Sequence, residues 1–137
     1  MVASPSYGAK HGLPRTVSEL VDHAALGFRG AQGVCPWIAV RPNGETTPTA
    51  RRFVLISNHG LELLRAAIAG EGLAFLPVWG VESALADGRL QEVTLDDARL
   101  VPSRQTDMSV YLLYPHEKAQ LGRVKVLADF LGAELGA

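Results

Sequence analysis

The sequence predicts an α/β fold, and three observations carry that prediction. Short apolar runs bounded by glycine or proline recur between stretches of helical spacing, as in "LAFL" (residues 73–76) between Gly72 and Pro77. Helix-stop signals lead straight into strand-like runs, as in "AIAGEGLAFL", which passes from one to the other through Gly70 and Gly72. After residue 50 the elements alternate strand, helix, strand, helix, strand, an order that predicts parallel pairing with right-handed crossovers.

Each element has its own local warrant. Val2-Ala3 reads as the tail of a strand. Ser4 can cap a helix, and Pro5 suits its first position, where the missing N–H would go unpaired anyway; Gly12 and Pro14 end it. In "TVSEL", Thr16 and Glu19 are spaced as a capping box, which predicts a second helix over 16–22. "AALGF" (24–28) reads as a short buried strand and "RGAQGV" (29–34) as a loop. "PWIAV" (36–40) and "RRFVLIS" (51–57) are predicted strands around an Asn43-Gly44 turn, so that 37–56 forms a hairpin-like excursion.

The spacing next predicts a helix over 59–69 with Leu61, Leu64, Ala67 and Ile68 on one face. After the "LAFL" strand, a helix over 78–86 ends at Asp87-Gly88, and "LQEVTL" (90–95) alternates as a half-exposed strand. Residues 96–107 are polar and irregular, a connector. "MSVYLLYP" (108–115) reads as a strand stopped by Pro115. A last helix over 118–135 aligns Leu121, Val124, Leu127, Leu131 and Leu135, with Phe130 beside them.

Composition narrows the function classes. A chain of 137 residues suits one domain or one large subdomain, and 47% hydrophobic with 20% charged residues is globular. Thirteen basic against fourteen acidic side chains give a formal charge of −1, which argues against a chain whose main task is gripping phosphate backbones. Cys35 is the single cysteine, so no internal disulfide is possible; its apolar setting, "GVCPWIAV", suits an inert, partly buried thiol in a reducing compartment. The first residues do not read as a signal peptide, and no run approaches the ~20 apolar residues of a membrane span, so the expected location is cytoplasmic, without membrane contact.

Catalytic motifs find no support. His11, His23, His59 and His116 are never three or four residues apart, so no helix presents a ligand pair; they read as scattered surface or loop histidines, and neither a metal nor a cofactor is expected. No Gly-x-Ser-x-Gly elbow occurs, and no Gly-x-x-x-x-Gly-Lys loop. The Gly70/Gly72 pair follows a helix and precedes a strand, the reverse of a dinucleotide fingerprint, so it reads as a helix stop and a tight loop. A binding site is what survives. In parallel α/β sheets ligands sit beyond the carboxyl ends of strands. Those ends carry Phe28, Arg29 and Gly30; Asn58, His59 and Gly60; and Pro77 and Val78. Arg29 offers a fork of donors suited to carboxylates, and Asn58 reads as the N-cap of a helix whose N–H groups favour anions. Together they point to an anionic or polar small molecule.

The same stretches resemble a known family. Ala3-Ser4-Pro5-Ser6-Tyr7, then Gly12-Leu13-Pro14, then Glu19-Leu20 with His23, then Leu26 to Phe28, look like the opening of the second half of the effector-binding domain of LysR-type transcriptional regulators. "LRAAIAGEGLAFLPVWGVESALADGRLQEV" is similar to that family's helix–Gly-x-Gly–strand–Pro–helix–Asp-Gly-x-Leu run, and "VYLLYPHEKAQLGRVKVLADFL" to its final strand and helix. The resemblance implies a type 2 periplasmic-binding-protein-like fold with a mixed or parallel sheet flanked by helices. Residues 1–106 would be the second effector-binding subdomain, and 107–137 a strand and helix returning to the first. It implies the effector-sensing portion of a regulator, not an enzyme, which dimerises and reaches DNA only through an N-terminal helix-turn-helix. The sequence departs from the family in lacking that domain and the first part of subdomain one, with Met1 falling inside the first crossover strand. Two consequences are expected: weak effector binding by half a cleft, and self-association through the orphan "VYLLY" edge and final helix. A fragment of a periplasmic solute-binding protein is the alternative; a small enzyme is a third class that no constellation supports.

Overall fold

The structure is a computed structural model and describes residues 1–49, 51–102, 112–118 and 120–135. Two compact units divide the chain, Met1–Asp107 and Met108–Ala137. In chain order the first unit holds β1 (Val2–Ala3), α1 (Pro5–His11), a 3-10 turn (Ser18–Asp22), β2 (Ala24–Gly30), β3 (Gly33–Val34), β4 (Trp37–Val40) and β5 (Thr46–Pro48). It continues through β6 (Arg52–Ser57), α2 (Gly60–Ile68), β7 (Leu73–Ala74), α3 (Val78–Ala86), β8 (Gln91–Glu92) and β9 (Arg99–Pro102).

The main sheet has the order β6-β2-β7-β1-β8, with β3 paired to the far end of β2. β6 and β7 both run parallel to β2, while β1 is antiparallel to β7 and to β8. The strands of the predicted β-α-β-α-β run, β6, β7 and β8, therefore share one direction. They are not neighbours, because β2 and β1 lie between them. Side chains alternate across the sheet, as the period of two requires. Val2, Leu26 and Ala74 face one cluster with Leu63 and Ala67 of α2 and Val81 and Ala84 of α3. Ala3, Ala25 and Leu73 face the other, with Tyr7, Leu20, Trp37 and Val93. Burying each large aliphatic side chain in such a layer stabilises by about 1.5–3 kcal/mol.

Two glycines make the α2-to-β7 passage possible, as the sequence led us to expect. Gly70 adopts φ 83°, the left-handed conformation that ends a helix, and its N–H donates to Ala67 O at 3.1 Å. A Cβ on Gly72 would stand 2.6 Å from Ala24 O, so only glycine lets this strand lie against β2. A third glycine serves packing. A Cβ on Gly27 would meet the ring of Phe53 at 2.7 Å, so the Phe53 ring occupies the space its side chain would need. The β2–β6 register shifts by one residue between Ala25↔Phe53 and Leu26↔Leu55, leaving Val54 as the extra residue of a bulge.

Several expectations are corrected. The Thr16–Glu19 capping box forms only in part: the Glu19 carboxylate accepts from Thr16 and, through Oε2 at 2.7 Å, from the Arg15 N–H, but Thr16 Oγ1 bonds Ser18 Oγ and the segment is a 3-10 turn, not an α-helix. The expected loop over 29–34 is a hairpin, with Arg29 paired to Val34 and Gly30 to Gly33. The Asn43-Gly44 turn joins β4 not to "RRFVLIS" but to β5, a strand unseen in "TTP" because it is short and polar. β6 instead belongs to the main sheet. β9 emerges from the expected connector and pairs with β4 from Trp37↔Pro102 to Val40↔Arg99, completing a three-stranded antiparallel sheet. "LAFL" and "LQEVTL" are strand only at Leu73–Ala74 and Gln91–Glu92. On α2, Ala67 is buried and Leu64 and Ile68 pack against the core as expected, but the second fully buried residue is Leu63 and Leu61 is 47% exposed, so the inward stripe is rotated towards Leu63.

In the second unit, Met108 to Tyr111 of the expected strand lie outside the described residues, and residues 112–115 are irregular. A 3-10 turn (His116–Lys118) precedes α4 (Gly122–Leu135). Of its expected apolar face, Val124 and Leu131 are half-buried, while Leu127 and Phe130 are exposed; the Leu135 side chain lies outside the described residues.

Candidate functional site

Strand direction decides which residues meet. β6 is parallel to β2 with Phe28 opposite Ser57, and β7 is parallel to β2 with Leu26 opposite Ala74. Carried two residues on, that register sets Phe28 level with Leu76 and Arg29 level with Pro77. The carboxyl ends of β6, β2 and β7 thus open on one side of the sheet. At or just beyond these ends the chain carries Asn58, His59 and Gly60; Phe28, Arg29 and Gly30; and Pro77 and Val78.

Each residue sits differently. Phe28 is half-buried against the α2/α3 cluster. Arg29 is exposed, its backbone fixed by the β2–β3 hairpin. Among the described residues its side chain makes no hydrogen bond or ion pair, leaving the guanidinium fork open. Gly30 lies in the same hairpin, where a Cβ would stand 3.3 Å from Cys35 Sγ. Cys35 is half-buried and its N–H donates to Phe28 O at 2.8 Å, tying the start of β4 to this end of β2. Asn58, His59 and Gly60 are all exposed. Asn58 is not the N-cap: that position belongs to His59, which makes no side-chain cap bond, while Ser57 Oγ accepts from the His59 N–H at 3.0 Å. Glu62 in the first turn of α2 already sets a negative charge there, 3.2 Å from Arg65 and 4.0 Å from His59 Nδ1. The open cation of the site is therefore Arg29 more than the helix end. Pro77 caps α3 in an extended conformation, and next to it Val78 and Trp79 are 74% and 67% exposed.

Two clusters away from these strand ends were not anticipated. His23 is not a surface histidine but 9% exposed, and its Nδ1 lies 3.0 Å from Tyr7 Oη, which also accepts from the Ala24 N–H at 3.1 Å. The Tyr7 hydroxyl thus joins the Ala24 amide and the His23 ring, and which of Oη and Nδ1 donates follows the tautomer of the imidazole. Burial lowers the His23 pKa and raises that of Tyr7. His11 stacks on Tyr7 with centroids 4.9 Å apart. The second cluster is Arg51, whose guanidinium lies 5.3 Å from the Trp37 ring centroid and 4.8 Å from that of Phe53, and donates to Thr49. Its Nε is buried with no hydrogen-bond partner among the described residues. Sequence periodicity gives no sign of either cluster, because both join residues from different strands and turns.

No group of three histidine, cysteine or acidic side chains could hold a metal ion among the described residues. Nor is any described helix long and apolar enough to cross a membrane.

Comparison with known proteins gives a consistent picture. The family model of the LysR substrate binding domain matches residues 1–136. The HTH-type transcriptional regulator CrgA of Neisseria meningitidis (serogroup C) is 31% identical, over 99% of this chain and 43% of CrgA. The HTH-type regulator PgrR of Escherichia coli K12 is 31% identical, over 86% of this chain and 38% of PgrR. Among solved structures, CrgA superposes with a TM-score of 0.76 at 28% identity, covering 99% of this chain and 44% of that one. Full-length AphB, the Vibrio cholerae virulence activator, superposes at 0.70 with 27% identity over 94% and 42%. The chain thus spans about two-fifths of the length of the relatives it matches.

Proposed function

This chain belongs to the LysR substrate-binding domain family, and from that premise we propose how it works as the effector-sensing portion of a LysR-type regulator. A small anionic effector binds beyond the strand ends of the first unit. Arg29 is its charge partner, Asn58 and His59 offer polar contacts, and Phe28, Pro77 and Val78 provide the apolar wall. The observation that carries this reading is the common direction of three parallel strands around an exposed arginine that makes no side-chain hydrogen bond or ion pair among the described residues. In the same reading, residues 1–106 form the second effector-binding subdomain and 107–137 return to the first. The chain is cytoplasmic and not catalytic, it self-associates, and DNA is reached through the helix-turn-helix domain of the whole regulator. Effector binding acts by population shift: it stabilises whichever arrangement of the assembly it binds more tightly.

A thermal-shift screen of mono- and dicarboxylates on this chain tests the reading, followed by Arg29→Gln and Asn58→Ala variants. A carboxylate whose stabilisation is lost in Arg29→Gln supports it. Hits that both variants retain in full would refute the assignment of these residues.

A further inference from the structure

A second polar cavity lies at the far end of β4. It is a depression open to solvent whose walls are the root of the β4–β5 turn (Val40, Arg41 and Pro42) and the segment leading into β9 (Leu95, Asp96, Ala98 and Arg99), with a volume of about 430 Å³. That volume is in the range of small-molecule sites, which run from about 300 to 1,000 Å³. Roughly 16 Å of extended chain separates Val40 from Cys35, where β4 begins beside Phe28, so the cavity is distinct from the strand ends described above.

Its walls are fixed from both sides. Val40 pairs with Arg99 in the β4–β9 ladder. The Leu95 segment is pinned to the chain before the 3-10 turn: the Asp96 N–H donates to Arg15 O at 2.6 Å, and Asp97 Oδ1 accepts from the Val17 N–H at 3.0 Å. Three guanidinium groups, Arg15, Arg41 and Arg99, stand on this wall or beside it with three carboxylates, Asp96, Glu45 and Asp97, so the selectivity lies in how they pair. Asp96 is neutralised by Arg15, which reaches it through Nη2 at 2.8 Å and Nε at 3.0 Å. Arg41 is held loosely, 3.3 Å from Thr47 Oγ1 and 3.7 Å from Glu45 Oε1. Among the described residues Arg99 makes no side-chain hydrogen bond or ion pair. The result is a site lined by the apolar residues Val40, Pro42, Leu95 and Ala98, with the Arg99 guanidinium beside them in no ion pair among the described residues.

We propose that this cavity is a second ligand site, selective for a small carboxylate with an apolar body, in which Arg99 binds the carboxylate and Arg41 supports it. A guanidinium fork matches a carboxylate in two parallel bonds, and the apolar lining takes the remainder of the molecule. The site stands independently of the strand-end reading, because none of its residues belongs to those strand ends.

The test is amide NMR of the full chain titrated with sodium benzoate, with benzyl alcohol as the uncharged comparator. Saturable shifts are expected at residues 40, 41 and 95–99. Arg99→Gln should raise the apparent Kd about tenfold, and Arg99→Lys, which keeps the charge but loses the fork, should fall between. Arg99 is exposed and its ladder pairing is through the backbone, so both variants should fold like the parent. Arg29→Gln should leave these shifts unchanged, whereas loss of binding at the strand ends alone would affect only the earlier reading. Equal shifts from benzyl alcohol, an Arg99→Gln variant that binds as the parent does, or no saturable shift at these residues would each overturn the proposal.

Discussion

β2 has a parallel neighbour on each side, and the two are made from similar sequence. β7 comes from "LAFL" and β6 from "RRFVLIS", both apolar runs. Yet Leu73 and Ala74 of β7 are 1% and 0% exposed, while Val54, Leu55 and Ile56 of β6 are 47%, 38% and 39% exposed. The difference is one of position. β7 has strands on both edges and a packed cluster on each face; among the described residues β6 pairs with β2 alone. Similar apolar runs therefore do different work: one holds the sheet together, and the other offers a row of apolar side chains and an open edge. An open edge of that kind is the usual place for a strand or helix of another chain to add.

The comparison can be tested most severely at its buried side. Leu73→Ala should cost about 2–5 kcal/mol, the range for truncating a fully buried leucine, and would appear as a lower midpoint in urea with an unchanged slope. A cost under ~1 kcal/mol would mean that β7 is not the anchor described. Gly72→Ala should cost about 1–3 kcal/mol in the same assay, since its new methyl must displace the backbone and Cβ of Ala24. Removing the Ser4 cap, whose Oγ accepts from the Tyr7 N–H at 3.2 Å, should cost about 1 kcal/mol in Ser4→Ala.

Acid should weaken the same buried side. Folding lowers the His23 pKa from its ordinary 6.5, chiefly by burial, so below that value the unfolded chain takes up a proton that the folded chain refuses. Asp22 and Glu19 favour the charged ring and His11 opposes it, without reversing the direction. The His23 contribution is thus complete above pH 6.5 and declines as pH falls through it towards the lowered folded value. Urea midpoints of parent and His23→Gln, measured from about pH 7.5 down to 5.5, should converge as pH falls. Parallel curves would show that the Tyr7–His23 pair does not couple to folding.

At the bare edge the smallest change in stability is expected. Leu55→Lys should alter the urea midpoint by no more than about 0.5 kcal/mol, since the residue already faces water. Sedimentation should nevertheless show weaker self-association than the parent. A variant as strongly associated as the parent would move the interface elsewhere, and the exposed Leu127 and Phe130 of α4 are the next residues to alter.

What the sequence made legible follows the same division. Signals carried by one residue and its immediate neighbours read correctly: the Ser4-Pro5 helix start, the Gly70 and Gly72 break, the Asn43-Gly44 turn and the bounds of α3. The candidate strand ends were legible as well, because strand order alone proposes them, although their parallel alignment needed β2 between β6 and β7. What sequence could not supply was partnership. β5 and β9 are short and partly polar, and they exist as strands because β4 lies between them. The inward stripe of α2 centres on Leu63 because the sheet meets it there, and the leucines at 61, 63 and 64 allow more than one reading. His23 became a core residue through Tyr7, sixteen positions away.

Gly27 has a consequence beyond packing. The absence of its side chain admits the Phe53 ring, and with the Val54 bulge this fixes where β6 stops sliding along β2. The far end of β6 leads into Asn58 and His59, opposite Arg29. A slip of one residue would move them by about 3.3 Å and turn the side chains of β6 to the other face. The span between the polar residues of one strand end and the guanidinium of the next is thus metered by a glycine that would touch no effector, and a methyl group there would miscalibrate the gap rather than block it.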